Sequence, residues 1–278
     1  MYGFHRRAPR RRRMQSMHKI IDSNILRSDR LRSFLMASRE NVAVLTDYAA
    51  MEAYKHESST WIFKSMEILS SRPKQVIVLK GTQTICGLSG RRAGLQRRLI
   101  DREQTRGFSQ FCETLRKVEA GNSHVINQVL EHAREAREHM LRLLIDAKEL
   151  PEVFDSVSEN YAAAELAALR SGFRFSDAMI EKLMRDVILV AGTMLSRHPR
   201  VRRMPRGKEL FNTFIFRFAL CGYILALKRI SFGGAHNVSP EKLRNDMVDA
   251  TFAAYGTFFG GLLTDDKRLQ EISGYADT

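Results

Sequence analysis

The chain has 278 residues, of which 44% are hydrophobic, and this is enough apolar material for one large domain or two modest ones. Its formal net charge of +14 favours a polyanion such as nucleic acid as a partner. The three cysteines lie far apart and lack a CxxC spacing, which argues against a disulfide framework and against a zinc site. We therefore expect a cytoplasmic protein.

The first 16 residues form an arginine-rich arm, and their composition predicts disorder until a partner is met. No apolar run follows the arm, so it does not resemble a secretory signal. Met14 and Met17 are alternatives to Met1 as the start residue, and translation from Met17 would begin at a predicted strand. The most hydrophobic segment, 210–230, contains Arg217, so it predicts a buried helix and no membrane association.

Strand and helix patterns alternate in the next part of the chain. β-Branched runs predict strands, helical periodicity predicts helices between them, and the predicted order is strand 18–22, helix 31–38, strand 41–45, helix 47–57, helix 60–71 and strand 75–80. This alternation favours a short, mainly parallel central sheet with helices on both faces. We assign residues 17–86 to the N-terminal part of one α/β domain.

The segment 87–206 has a different character, with long charged stretches rich in leucine and alanine. It predicts a large all-helical insertion, with helices within 124–150, 159–170 and 175–197. These amphipathic helices suggest a homo-oligomer or a regulatory protein partner. Two clusters of arginines here are either phosphate contacts or solvated loops: Arg91, Arg92, Arg97 and Arg98, and then Arg200, Arg202, Arg203 and Arg206.

The C-terminal part, 207–278, returns to α/β character. Ser239 and Pro240 predict the start of a helix that ends near Gly256. The segment 260–264 then predicts a final short strand, and a turn and a helix follow it. The two halves of the α/β domain therefore lie on either side of the insertion.

Acidic residues occur in four segments where predicted strands end or helices begin, which is where parallel α/β sheets usually build their sites. A three-residue spacing also puts two of these acids on one side of a helix. The six residues are Asp22, Glu52, Asp246, Asp249, Asp265 and Asp266.

These segments resemble the PIN-domain nucleases, a family that includes small toxins. The opening strand ends in IIDSN, a glutamate follows the second strand in TDYAAME, and the stretch RNDMVDATFAAYGTFFGGLLTDDKRL matches the family's C-terminal helix and Thr-x-Asp strand end. The resemblance covers roughly residues 17–80 and 207–275. It implies a three-layer α/β/α fold and a metal-dependent endoribonuclease that hydrolyses RNA phosphodiester bonds.

The resemblance also implies roles for individual residues. Asp22, Glu52, Asp249 and Asp266 would be the catalytic metal ligands, and Asp246 and Asp265 would be additional acids at the metal. Asn24, Thr264 and Lys267 would contact the substrate. Clustered carboxylates favour hard cations, here Mg²⁺ or Mn²⁺, which activate water and stabilise the leaving oxygen in a two-metal mechanism.

Several alternatives stay open at the level of sequence. Asp22 is also a typical turn residue at a strand end, and Asp47, a helix cap, competes with Glu52 for the role of the second acid. The protein could instead be a PIN-like nucleic-acid-binding or scaffold protein without activity, or a nuclease that acts on DNA. A phosphohydrolase of the HAD type would need an aspartate where this chain has Asn24.

Overall fold

The computed structural model describes residues 17–54, 58–90, 94–120, 122–124, 126, 127, 130, 131, 133–136, 138, 150–172, 175–233 and 238–277. The predicted basic arm, 1–16, lies outside the described residues, and so do Arg91 and Arg92 of the first arginine cluster.

Four strands form one parallel sheet. They are β1 (His18–Ile21), β2 (Val42–Leu45), β3 (Val76–Val78) and β4 (Leu262–Leu263), in the order β3-β2-β1-β4. β1 pairs with β2 through Ile20 opposite Val44, and with β4 through Ile21 opposite Leu263. The predicted α/β class with a short parallel sheet is therefore confirmed, and each predicted strand is trimmed by one to three residues.

In the described part of the chain up to residue 120, six α-helices lie between or after the first three strands. Ser28 and Ser58 accept backbone hydrogen bonds as N-caps, from the amides of Arg30 and Trp61, which explains where the helices α1 and α3 begin. The six helices are α1 (Asp29–Ala37), α2 (Asp47–Tyr54), α3 (Ser59–Ser70), α4 (Thr82–Cys86), α5 (Gln96–Leu99) and α6 (Arg102–Glu119).

The rest of the described chain is almost entirely helical. Its helices are α7 (Leu150–Ser158), α8 (Ala163–Gly172), α9 (Asp177–Arg197), α10 (Lys208–Phe211), α11 (Phe214–Ser231), α12 (Pro240–Gly256) and α13 (Lys267–Asp277). The predicted helices within 159–170 and 175–197 are present as α8 and α9, and Leu79 and Ile100 form an isolated antiparallel bridge. The assignment of 87–206 as an insertion stays a prediction.

The helices within 87–206 share a core with the sheet and with a helix of the C-terminal part. α6 packs on α3 and β3, while α7, α8 and α9 pack on α11, a helix of the C-terminal part. Leu183 and Val187 of α9 belong to the same cluster of buried residues as Ile20 of β1. Removing the insertion would therefore expose apolar surface on both halves of the domain.

The phenylalanine-rich helix α11 lies in this core, as its sequence predicts. Phe214, Phe216 and Leu227 are buried, and Arg217 turns its guanidinium back to the carbonyl oxygen of Phe211 at 3.0 Å. Among the described residues, we find no helix with the length and apolar character that are needed to span a bilayer.

The last strand enters the sheet beside β1 through two glycines. The amide of Gly260 donates to the carbonyl oxygen of His18 at 2.7 Å, and Gly261 has a φ of +92°, a conformation that favours glycine. Because the chain runs from β1 to β2 and β3 on one side and returns to β4 on the other, the sheet has a topological switch point between β1 and β4. Ligands of parallel sheets bind beyond the carboxyl ends of the strands at such a point.

Candidate acidic site at the carboxyl ends of β1 and β4

Asp22 and Thr264 join the two ends of the chain at this switch point. Asp22 follows β1 directly, Thr264 follows β4, and both are buried. The Oγ1 atom of Thr264 donates a hydrogen bond of 2.6 Å to Oδ2 of Asp22. The same Oγ1 accepts from Nδ2 of Asn24 at 3.2 Å and from the amide of Asp266 at 3.0 Å. One threonine hydroxyl therefore fixes both strand ends.

Asn24 serves this same connection. Besides its bond to Thr264, its Oδ1 accepts from the amide of Asp265 at 3.4 Å. These contacts give Asn24 a structural task, while its predicted contact with substrate stays a prediction.

Asp266 caps the last helix of the protein. Its Oδ1 accepts from the amides of Arg268 and Leu269, at 2.7 and 3.1 Å, and thus satisfies two donors in the first turn of α13. In the described chain, no protein group donates to Oδ2 of Asp266. Asp266 therefore has one oxygen that is held and one that is available to a ligand.

Asp249 of α12 belongs to the same electrostatic site. Burial raises the pKa of its carboxyl group to about 7, against the attraction of the Arg268 guanidinium, and the negative charges of Asp266 and Asp22 add to the increase. Burial also raises the pKa of Asp22, while the hydrogen bond from Thr264 opposes that change. Asp22 and Asp266, from opposite ends of the chain, are thus both close enough to Asp249 to raise the pKa of its carboxyl group.

Arg268 connects this site to a buried ion pair. Its Nη2 lies 2.7 Å from Oδ2 of Asp249, and its Nη1 lies 2.8 Å from Oδ1 of Asp246. Arg229 contacts Asp246 as well, with distances of 2.7 and 3.0 Å to the two carboxylate oxygens. Because Asp246 is only 2% exposed and both its oxygens face guanidinium groups, its contacts are those of a structural charge partner. Its predicted metal role stays a prediction.

Asp265, Lys267 and Glu52 are the remaining predicted residues. Asp265 is exposed and pairs with Arg30 at 3.0 Å, and Lys267 is exposed at the start of α13. Glu52 is half-buried on α2, a helix that packs against the short turn formed by residues 23–25. The helix that carries Glu52 thus contacts the turn after Asp22, and the predicted role of Glu52 as a metal ligand stays a prediction.

Asp47, the alternative to Glu52, has partners at the end of β3. Its carboxylate accepts from the amide and the hydroxyl of Thr82, at 2.6 and 2.7 Å, and the Thr82 hydroxyl is 2.9 Å from the hydroxyl of Tyr255. Through these bonds to the first residue of α4, Asp47 ties α2 to α4 and α12. Both carboxylate oxygens of Asp47 therefore have partners in Thr82, which is a structural role for this residue.

Sequence reasoning missed the arginines of the site. Arg268 engages two of the predicted acids, and the Nη1 atom of Arg30 donates to the carbonyl oxygen of Thr264 at 2.6 Å. A spacing of two residues after Asp266 was the available signal for Arg268, but it does not distinguish Arg268 from its neighbour Lys267. Only the packing of α13 against α12 decides which of the two reaches the acids.

The donor chemistry of the site is that of a hard divalent cation, because carboxylate oxygens are the ligands that Mg²⁺ and Mn²⁺ favour. The carboxylate of Asp22 accepts from the hydroxyls of Thr264 and Ser23, at 2.6 and 3.4 Å, and also from the backbone amides of Ser23 and Asn24. Among the described residues, however, no group of three or more His, Cys, Asp or Glu side chains is arranged to hold a metal ion. Arg268 supplies positive charge to Asp249 in this arrangement.

Comparison of the chain with protein-family models, with curated proteins and with solved structures gave no match in any of the three.

Proposed function

We propose that this protein is a PIN-like, metal-dependent endoribonuclease. The observation that carries the proposal is the grouping of Asp22, Asp249 and Asp266 at the switch point between β1 and β4. There the negative charges of Asp22 and Asp266 raise the pKa of Asp249. Asp22 and Asp266 both form hydrogen bonds with the hydroxyl of Thr264, although the predicted helical insertion separates them in sequence. The order of the motifs and their strand context agree with the PIN-domain resemblance.

The ionisation of Asp249 explains why such a site would take a cation. A carboxyl group with a raised pKa is one whose negative charge is poorly compensated, so a divalent cation would be favoured by the same electrostatics. When bound, Mg²⁺ or Mn²⁺ would lower the pKa of a water molecule and stabilise the charge on a scissile phosphate. Asp22, Asp249 and Asp266 would hold the cation, and Thr264 would keep Asp22 in position.

Arg268 gives the site a second feature. Its guanidinium already satisfies Oδ2 of Asp249, so a cation would compete with it for that carboxylate. Asp246 and Arg229 hold the rest of this ion-pair network, and Asp246 would retain Arg268 if Asp249 were released. We propose that Arg268 is the counter-charge of the site in the absence of a cation.

A cleavage assay tests this function. Labelled single-stranded RNA and DNA are incubated with the protein in Mn²⁺, in Mg²⁺ and in EDTA, and the proteins are the wild type, Asp22→Asn and, as a control, Asp265→Asn. We expect RNA cleavage that depends on the metal, that falls by at least about 100-fold in Asp22→Asn and that persists in Asp265→Asn. Equal cleavage by Asp22→Asn and the wild type would refute the site, and cleavage of DNA alone would make the protein a DNA nuclease.

A second candidate function is nucleic-acid binding without cleavage. The observation that favours it is the engagement of Asp249 and Asp246 by arginines, with no three-residue metal group among the described residues. Such a protein would bind RNA equally well in EDTA and in Mn²⁺, and it would leave the RNA intact in every arm of the assay above.

A further inference from the structure

One arginine of the first cluster and three of the second line a pocket that is separate from the acidic site at β1 and β4. The pocket has a volume of about 470 Å³ and lies between the segment 87–90 and the segment 200–205. Arg98 comes from the first cluster, and Arg200, Arg202 and Arg203 come from the second, a hundred residues later. The sequence does not predict that these four arginines share one pocket.

The walls of the pocket are held in place by specific contacts. Nη1 of Arg98 donates to the carbonyl oxygen of Ser89 at 2.6 Å, and Nη1 of Arg200 donates to Oγ1 of Thr84 at 3.1 Å. A Cβ atom on Gly90 would lie 1.8 Å from the carbonyl oxygen of Glu209, so this close approach requires glycine. These contacts therefore fix the two segments that line the pocket.

The charge of the pocket is strongly positive. Glu209 is the carboxylate among the described lining residues, and it lies 4.0 Å from Nη2 of Arg203, a long contact between partly exposed groups. Arg200, Arg202 and Arg203 are exposed, so most of their guanidinium donors face solvent. Guanidinium groups bind phosphate through two parallel hydrogen bonds, which makes a phosphate-bearing ligand the natural occupant.

We propose that this arginine pocket, defined by Arg98, Arg200, Arg202 and Arg203, binds the phosphate backbone of single-stranded RNA away from the acidic site. The proposal rests on the proposed function for its choice of RNA. The exposed run from Arg200 to Arg203 suits successive phosphates better than a single one, and the net charge of +14 extends the attraction for a polyanion beyond the pocket. The insertion would thus contribute an anchor for the substrate.

Equilibrium binding of a labelled mixed-sequence 20-nucleotide RNA in EDTA, where no metal-dependent cleavage occurs, tests the anchor. The pocket variant is Arg202→Glu/Arg203→Glu, and the control Arg102→Glu/Arg106→Glu makes the same change of charge at exposed positions on α6. We expect Kd to rise at least about tenfold in the pocket variant and about threefold or less in the control. The slope of log K against log salt should fall by about 1.4, the value for two lost phosphate contacts on a single strand.

Three further arms make the result decisive. Arg202→Ala/Arg203→Ala removes the two charges without reversing them, and it should also weaken RNA binding. It replaces the glutamate variant if thermal unfolding shows that charge reversal harms folding. The wild type is also incubated with the same RNA in Mn²⁺: because binding is measured in EDTA and needs no cleavage, a wild type that binds the RNA but does not cleave it would refute the proposed function and leave the anchor in place. Equal weakening by the pocket and control variants would overturn the anchor, and so would displacement of the RNA by micromolar pyrophosphate, which would identify a small phosphate ligand instead.

Discussion

The hydroxyl of Thr264 donates to the carboxylate of Asp22 at 2.6 Å, and this bond joins two residues that are 242 positions apart in the chain. It forms where β1 and β4 end side by side, and Thr264 has no exposed surface. The bond fixes one carboxylate oxygen of Asp22, and the backbone amides of Ser23 and Asn24 also donate to this carboxylate. Thr264 is therefore a positioning residue for the proposed site.

Thr264→Val removes the hydroxyl group and keeps the shape of the side chain, so it tests the hydroxyl alone. The substitution leaves the buried Oδ2 of Asp22 without its donor, and we expect the free energy of unfolding to fall by about 1–3 kcal/mol. Metal-dependent cleavage should fall as well, because Asp22 loses its fixed orientation. Thr264→Ser keeps the hydroxyl and should retain most of the cleavage. If valine and serine variants cleave RNA equally, Thr264 does not position Asp22.

Asp249→Asn should change how stability depends on pH in EDTA. The unfolded carboxyl group titrates near 3.8 and the folded one near 7, so the folded protein keeps a proton that the unfolded chain releases between these values. This group therefore lowers wild-type stability as pH rises through that window. Asparagine does not titrate, so the stability of the variant relative to the wild type should rise from pH 4 to pH 7, by up to about 4 kcal/mol for a shift of about three pH units. The lost contact with Arg268 lowers the stability of the variant by an offset that does not depend on this titration.

Chemical denaturation at pH 4.5, 6 and 8 measures this gain, and Asp265→Asn, at an exposed position, serves as the control. The control should show an almost constant difference from the wild type over the same range. A constant difference for Asp249→Asn too would mean that Asp249 titrates normally in the folded protein.

Arg268→Met should destabilise the protein through the acids it leaves behind. The change removes the partner of Asp249 and one of the two partners of the buried Asp246, so we expect a loss of about 2–3 kcal/mol in the free energy of unfolding. Arg32→Met is a matched control, because Arg32 pairs at 3.6 Å with the exposed Asp29 and should cost less than about 0.5 kcal/mol. Similar losses in the two variants would contradict a structural role for the Arg268 ion pairs.

Patterns that are local in sequence predicted most of the fold. The Ser239-Pro240 pair marks the start of α12 because the Ser239 hydroxyl accepts from the amide of Lys242, and proline tolerates the first helical position. The run of β-branched residues predicted the strand 18–22, and its residues Ile20 and Ile21 are buried in the sheet. Each of these signals lies within a few residues of the feature it predicts.

Contacts between distant segments could not be read in the same way. The pairing of Arg268 with Asp246 depends on how α13 packs against α12, and the meeting of Arg98 with Arg200 depends on how the insertion folds back. The sharing of one core by α9 and β1 likewise has no signal in the sequence of either element. The acids at strand ends were predictable since parallel strands all end at one edge, whereas their arginine partners were not.

Direct binding of Mn²⁺ tests the central claim, that acids from the two ends of the chain form one metal site. Titration calorimetry at pH 7.5 would compare the wild type with Asp22→Asn, Asp249→Asn and the exposed control Asp265→Asn. We predict that the wild type and Asp265→Asn bind Mn²⁺ alike, while Asp22→Asn and Asp249→Asn each bind it at least about tenfold more weakly. Equal Mn²⁺ affinity in all four proteins, or no binding by the wild type, would contradict the proposed site.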